Sequence, residues 1–541
     1  MALHQGNIDL HIANHPNKLG VLYAQAVDEG TNNIVVTGDA NKDIGASTKA
    51  AIMFGAAASK ADNHPGINSL TVKDNALVTV LPETADSNSS TIQNVTLEQG
   101  GTVSLIDPAK TEAMTVEIKT KSLTIDHLSG TGGHFVLDID ASNNTDNDKL
   151  YIGQFDTGTH YLDLNNTAST SDKAENSVLA YVNEHTADSL FKATEGKNTL
   201  YYRRYELASR ETQQEGYTQE WYLKKATNVS PDEEATPTLQ TLKGINSYAL
   251  YSLSTLNDTL HQRLGLQSEA IDAKNLWIRA SYHHGKGQPQ DPFKANLERY
   301  QVDLNVYKHR GQHYSSFIGL SYDRLLGQVN LPASSTRNHM DMLGLYHTYH
   351  NDRGIYLDTI VQYGWNKFKA QTIKDGDNTL DLGARSNHLF NASIEVGKHI
   401  DKNLWFFEPQ AQLSYSRASN MRTTLVGPEG TFEVNTHSMN YWLARAGLLA
   451  GRYFDQNHKS QIYGKINVLH QLQAKTRLHI VGSDDLNMDY GRNYHKTWVR
   501  LGLGANYHTD NHTTLYGDIE KSVGASPWSD LQINVGLRHQ F

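Results

Sequence analysis

The chain has 541 residues, a formal net charge of −10 and no cysteine. The missing cysteine excludes a disulfide framework, a zinc–thiolate centre and a thiol nucleophile, and the acidic balance speaks against a general nucleic-acid binder. Hydrophobic residues make up 38% of the chain, and no run approaches the roughly 20 apolar residues of a membrane-spanning helix; a membrane β-barrel stays open, because its alternating strands look polar on average.

The first residues, MALHQGNIDL, contain no basic stretch followed by an apolar one, so no secretory leader is read there. The expectation is a truncated or mis-started reading frame. Residues 1–126 are rich in Gly, Asn, Asp, Thr and Val, and short β runs recur at 33–38, 50–55, 69–80, 91–106 and 114–126. A spacing of roughly 15–25 residues, with no helix-period segment between, predicts a stacked solenoid; a β-sandwich is the alternative. Residues 127–225 continue as β structure. The segment 130–140 reads as a Gly-rich bend feeding a strand, 148–166 as two strands around Asp156-Thr157-Gly158, and 217–225 as the last strand.

Residues 226–240 are polar and acidic with two prolines, and read as a linker. Ala249, Leu253, Leu256, Leu260 and Leu264 then recur at helical steps as one apolar stripe, and Gly265 is a natural stop. The helix predicted over about 246–264 is roughly 28 Å long, near the thickness of a bilayer core.

From Asn275 onward the pattern is long alternation. Tyr300, Val302, Leu304 and Val306 share one face, against Gln301, Asp303 and Asn305. Ile318, Leu320 and Tyr322 oppose Ser321 and Asp323. Phe407, Leu413 and Tyr415 oppose Glu408, Gln410 and Gln412. About twelve such strands, with aromatics near their ends, predict a closed outer-membrane barrel. One face carries charge on strand after strand: Arg279, Asp303, Asp358, Glu395, Glu408, Arg445, Lys465, Arg500 and Asp518. An apolar core does not hold so many unpaired charges, so a water-filled lumen is expected, with Arg279, Glu395, Glu408, Arg445 and Arg500 facing it, in part contacting the helix and in part solvating the pore. His261, Gln262 and Arg263 lie off the helix stripe and are candidates to pair with lumen carboxylates. The parts are therefore 1–126 solenoid, 127–225 β cap, 226–268 linker and helix, and 269–541 barrel.

This order of parts resembles the autotransporters of type V secretion. LQINVGLRHQF (531–541) is similar to the family's barrel-assembly signal, carried here by Leu531, Ile533, Val535, Leu537 and Phe541. LWFFEPQAQLSYS (404–416) resembles its recurrent Glu-Pro-Gln barrel motif, LHQRLG (260–265) with LWIRASYHHG (276–285) its lumen helix and first strand, and 130–225 the autochaperone region of pertactin-like passengers. The resemblance implies an all-β protein: the C-terminal part of a right-handed parallel β-helix passenger, a lumen helix and a 12-stranded antiparallel transmembrane barrel. It implies the outer membrane of a Gram-negative bacterium with the passenger at the cell surface, and an adhesin or virulence-related role. The implied partners are outer-membrane lipid, the barrel-assembly machinery, periplasmic chaperones and a host-surface ligand. Members that cut themselves carry an Asn-Asn pair before L-x-x-R-x-G. Asp258-Thr259 stands there in this chain, after Asn257, so self-cleavage is not expected.

No catalytic, metal or cofactor site is read. Asp138, Asp140, Asp146 and Asp148 form an acidic turn without the spacing of a calcium loop. His283-His284, and His4 with His11, lack a third ligand, and no nucleophile motif occurs. The expectation is a protein that is not an enzyme. The alternatives are an enzymatic head upstream of this chain and a plain porin-like channel.

Overall fold

The computed structural model describes residues 2–4, 7–13, 21–27, 29–55, 66–83, 87–106, 120–139, 147–166, 175–230, 233–266, 275–376, 378–427, 430–455, 459–482, 487–510 and 512–541. They divide into two compact units, 1–230 and 231–541.

The first unit is a parallel β-helix. Successive strands alternate between two sheets. Thr31–Thr37, Ile67–Lys73, Ser89–Glu98, Ser122–Thr131, Lys149–Phe155 and Val178–His185 stack in one; Lys49–Phe54, Leu77–Leu81, Thr102–Ser104, His134–Ile139, Gly158–Asn166 and Ser189–Ala193 stack in the other. The runs 69–80 and 91–106 each read as one stretch but are two strands around a corner. Asp74 and Asn75 turn the first with φ of 55° and 60°, and Gln99 and Gly100 turn the second with φ of 49° and 79°. Positive φ suits Gly, Asn and Asp best. Side chains alternate along each strand, so like residues meet in ladders inside the coil. Ile92, Ile125, Ile152 and Val182 are in register and fully buried. The run expected at 114–126 begins outside the described residues; its described strand starts at Ser122.

The coil ends where the parallel pattern changes. Gln219–Asn228 pairs antiparallel with Val178–His185 and with Tyr202–Glu211. This hairpin covers the open end of the sheet, as an edge requires. Trp221 packs edge-on against Phe191 at 5.7 Å, and Phe191 packs on Phe155 at 4.9 Å. The last strand thus reaches three residues into the segment read as linker.

The second unit is a closed barrel of twelve antiparallel strands. They are β1 (Asn275–Lys286), β2 (Lys294–Arg310), β3 (Tyr314–Leu331), β4 (Ser334–Asn351), β5 (Ile355–Phe368), β6 (Arg385–Lys398), β7 (Trp405–Ala418), β8 (Met439–Tyr453), β9 (Gln461–Val481), β10 (Thr497–His508), β11 (Thr513–Val523) and β12 (Ser529–Gln540). β12 closes on β1 in continuous register from Asn275↔Gln540 to Lys286↔Ser529. At the end holding Asn275 and Gln540 the turns are short. The other end, here the far end, carries extra hairpins, Gln371–Asp375 with Asn378–Leu382 and Met421–Gly427 with Gly430–Thr436.

The wall inverts the usual rule of burial. Tyr300, Val302, Leu304, Ile318, Leu320, Leu413, Leu501 and Leu503 are exposed, while Gln301, Asp303, Asn305, Asp323, Glu408 and Asn506 are buried. An apolar outside and a polar inside define a barrel solvated by lipid. Full closure leaves no strand edge to the hydrocarbon.

Inside run two helices, α1 (Pro237–Ser254) and α2 (Leu260–Leu264). The single helix expected over 246–264 is therefore corrected. α1 begins nine residues earlier, because Thr236 caps it by accepting from the Leu239 amide at 3.2 Å and Pro237 fits the first turn. It stops at Ser254, and α2 starts afresh with a capping box between Thr259 and Gln262. Gly265, at φ 72°, ends it.

Candidate functional site: the filled lumen

The stripe residues Ala249 and Leu253 lie on α1, Leu256 in the break, and Leu260 and Leu264 on α2; all five are buried. They do not mark a single contact face. From Thr238 to Leu253 every α1 residue but Gln240 is buried, because the wall surrounds the helix. The barrel wall makes room with glycine. A Cβ on Gly285 would lie 2.3 Å from Tyr251 Cζ, and one on Gly327 would lie 2.1 Å from the Tyr248 hydroxyl. Tyr251 donates to Asp530 at 2.8 Å and Tyr248 to Asn338 at 2.5 Å. At the far end the Thr238 amide and hydroxyl donate to one oxygen of Asp375, at 3.2 and 2.8 Å. A carboxylate there also meets the positive end of the helix dipole.

The break between the helices is an ion-paired node. Asp258 is held by Arg279 and Arg299, each at 2.6 Å. Arg299 also binds Asp323 at 2.8 Å and donates to the Thr255 carbonyl at 3.0 Å, satisfying the end of α1. Gln412 donates to the Asp258 carbonyl at 2.7 Å. The Asn257 side chain donates to the Ser254 carbonyl and accepts from Ser416. Thr259 is committed to capping. The three residues of the cleavage region are thus all engaged in structure.

α2 is bound by the wall at almost every polar group. Its Leu260 amide donates to Glu395 at 3.0 Å, and Glu395 is shared with Tyr356 at 2.8 Å and Arg445 at 3.1 Å. His261 contacts Glu408, which His399 also reaches at 2.9 Å. Gln262 donates to Glu520 at 2.8 Å. Arg263 grips both oxygens of Asp358 at 2.8 and 2.7 Å, lies 3.6 Å from Asp303 and sits 4.4 Å over the Tyr346 ring. The carbonyls of Gln262, Arg263, Leu264 and Leu266 accept from Arg279, Tyr516, Trp277 and Asn506 in turn. A five-residue helix has no stability of its own; these bonds supply it.

Of the two roles expected for the inward charges, contact with the helix and solvation of the pore, the structure shows the contacts. The inward charges are paired, with the helices or with one another across the wall. Arg279, Glu395, Glu408 and Arg445 are bonded as described; Arg500 meets Asp530 at 3.3 Å and Glu520 at 3.7 Å; Lys465 meets Asp518 at 3.3 Å and also contacts Glu520. Paired and hydrogen-bonded charges can be buried where lone ones cannot. A cavity of about 550 Å³ lies at the short-turn end, lined by His261, His350, His399 and Glu408 among others.

Leu531, Ile533, Val535 and Leu537 alternate with the buried Gln532 and Asn534 on β12. Phe541 follows the last paired residue and is 68% exposed, its ring 5.1 Å from His539. His283 and His284 face opposite sides of the wall, His284 reaching Asn296 at 2.8 Å. Asp138 and Asp148 serve the passenger fold: the Asp138 amide donates to Asp148 at 2.8 Å. Asp140, Asp146 and the side chain of His4 lie outside the described residues. Among the described residues no three His, Asp or Glu are placed to hold a metal.

Sequence reasoning placed Asp323 on the polar face without its partner, and missed Arg299, Asp375, Glu520 and Asp530. Their partners lie far along the chain, so no local spacing signals them. Thr259-x-x-Gln262 was a readable cap signature.

A lipid-facing barrel whose lumen is filled by the segment preceding its first strand defines a class: an outer-membrane translocator joined to the domain ahead of it. The Autotransporter beta-domain family matches residues 276–520, and the Pertactin family matches 92–225. The chain belongs to the autotransporter family and is an outer-membrane protein of a Gram-negative bacterium. No curated protein matches it. Solved structures similar to it include the β domain of the Bordetella autotransporter BrkA, at 19% identity and TM-score 0.40, covering 50% of this chain and 100% of that one. The translocator domain of NalP from Neisseria meningitidis is similar at 13% identity and TM-score 0.41, covering 55% and 95%. The transport unit of AIDA-I from Escherichia coli is similar at 16% identity and TM-score 0.39, covering 55% and 98%.

Proposed function

We propose that the chain is a non-enzymatic surface adhesin that is exported through, and anchored by, its own barrel. The observation that carries this reading is the filled lumen. α1 enters from the far end, and α1 and α2 are bonded to the wall along their length. Such a plug suits a translocator that has finished its task and holds the passenger at the surface; a plain porin-like channel has no use for it. Folding of the β-helix, coil upon coil, supplies the pull outward. The barrel-assembly machinery and periplasmic chaperones deliver the barrel, and a host-surface ligand is the passenger's target. With Asp258 fixed between two arginines, the passenger stays covalently attached.

The test is display in a non-adherent bacterial host behind a heterologous leader. The expected result is protease-accessible passenger on intact cells, gain of adherence to epithelial cells, and one unbroken chain on a denaturing gel. Surface display without adherence would sink the adhesin role. A barrel-sized fragment formed without added protease would sink covalent retention.

A further inference from the structure

The far end of the barrel's outer face carries a row of basic residues that the sheet itself does not require. Lys286 of β1 stands directly opposite Lys294 of β2. Like charges directly opposite destabilise an antiparallel pair. On the other side of Lys286 stands Ser529 of β12, and Lys521 of β11 donates to its hydroxyl at 3.2 Å. All three lysines are exposed and share the phase of the lipid-facing residues Ile278, Tyr300 and Ile519. None forms an ion pair with a carboxylate among the described residues.

Two hollows adjoin this row. One, about 560 Å³, is lined by Lys286 and Lys294 with Pro289, Pro292 and Asn330. The other, about 620 Å³, is an apolar groove of Leu448, Ile466, Leu503, Ile519 and Leu531 with Lys521 at its edge. Gly464 leaves the groove unfilled: an added Cβ would meet nothing closer than 3.7 Å. A cluster of unpaired cations at the head of an apolar groove, both facing the bilayer, complements an anionic headgroup above an acyl chain. The far end is the end from which α1 enters, so under the export reading above this face lies in the outer leaflet.

We infer that this face binds one phosphorylated glycolipid of the outer leaflet. Its phosphate lies among Lys286, Lys294 and Lys521, and one acyl chain occupies the groove. The phosphate relieves the repulsion between the opposed lysines, so the lipid stabilises the wall where β12 closes on β1.

The experiment uses the full chain folded in detergent, titrated with diphosphorylated lipid A and read by native mass spectrometry. The expected result is one retained lipid per chain, affinity at least tenfold weaker for the K286Q/K294Q/K521Q variant, and similar weakening for dephosphorylated lipid A. The thermal midpoint gives a second readout. Lipid A should raise it for the parent chain and leave the triple variant unmoved, while Lys294→Gln alone should raise it in lipid-free detergent. Unchanged lipid affinity in the triple variant would overturn the inference. So would displacement by millimolar inorganic phosphate, which would show an anion site indifferent to lipid. A Lys294→Gln midpoint below that of the parent would show that the lysine pair is structural.

Discussion

Arg263→Met removes the cation that ties α2 to the wall and leaves a side chain of similar length. Arg263 is 3% exposed, donates to both oxygens of Asp358 and lies 3.6 Å from Asp303. After the change Asp358 keeps the Thr348 hydroxyl at 2.5 Å, and Asp303 keeps Gln301 at 3.0 Å. Two carboxylates then remain buried with neutral donors only, which costs about 3–5 kcal/mol. At 1.4 kcal/mol per factor of ten, ~4 kcal/mol is roughly a thousandfold shift toward a detached α2. A double-mutant cycle with Asp358→Asn isolates the pair, and a coupling of about 2 kcal/mol or more is expected for a buried ion pair with two hydrogen bonds. The assay is urea unfolding of the full chain in detergent micelles, followed by gel mobility, with ion conductance in planar bilayers as an independent readout. The variant should unfold at lower urea and conduct in frequent openings. An unchanged midpoint together with parental conductance would refute the view that these bonds hold the plug.

His160 is fully buried in the passenger against Phe155 and Phe135, and burial pulls its pKa down from 6.5 to about 4. A depressed histidine contributes stability that is present above pH 6.5 and is lost as pH falls toward 4, so the passenger should be about 2 kcal/mol less stable at pH 5 than at pH 7. His160→Phe should flatten that dependence, as measured by denaturant unfolding followed through Trp221 fluorescence at the two pH values. Gly244→Ala tests the fit of α1: helix propensity alone would stabilise it by about 1 kcal/mol, but the new Cβ would lie 2.2 Å from the Pro292 carbonyl oxygen, so a lower melting midpoint is expected. Deleting Phe541 should change the melting of the refolded barrel by less than about 1 kcal/mol, since a largely exposed side chain removes little area from water. The same deletion should lower the yield of barrel in outer-membrane fractions of cells.

Much of the wall was legible, because period-2 alternation reports which face meets lipid. Val302 against Asp303, or Leu413 against Gln412, needs no tertiary knowledge. The β-helix was legible from its spacing, although its corners at Asp74-Asn75 and Gln99-Gly100 hid inside runs that look continuous. The helices were read less well. The polar, proline-bearing stretch before Thr236 looks like linker, yet the same Thr-Pro is a good helix start. Leu256 keeps the apolar stripe in phase across the break, so periodicity alone cannot show that the chain leaves the helix there to offer Asp258 to two arginines. The charge pairing was legible only in outline: His261, Gln262 and Arg263 stand off the apolar stripe, but nothing in the sequence tells which carboxylate each one meets. Gln262 meets Glu520 across 258 residues of sequence, and only closure of the barrel brings them together.

The most direct test of a closed, lipid-solvated barrel is the gel mobility of the full chain folded in detergent, compared without and with boiling. A closed barrel gives a compact, faster-migrating band before boiling that converts wholly to the slower, unfolded position afterwards. One band at the unfolded position under both conditions, from a chain that stays soluble in plain buffer, would contradict it.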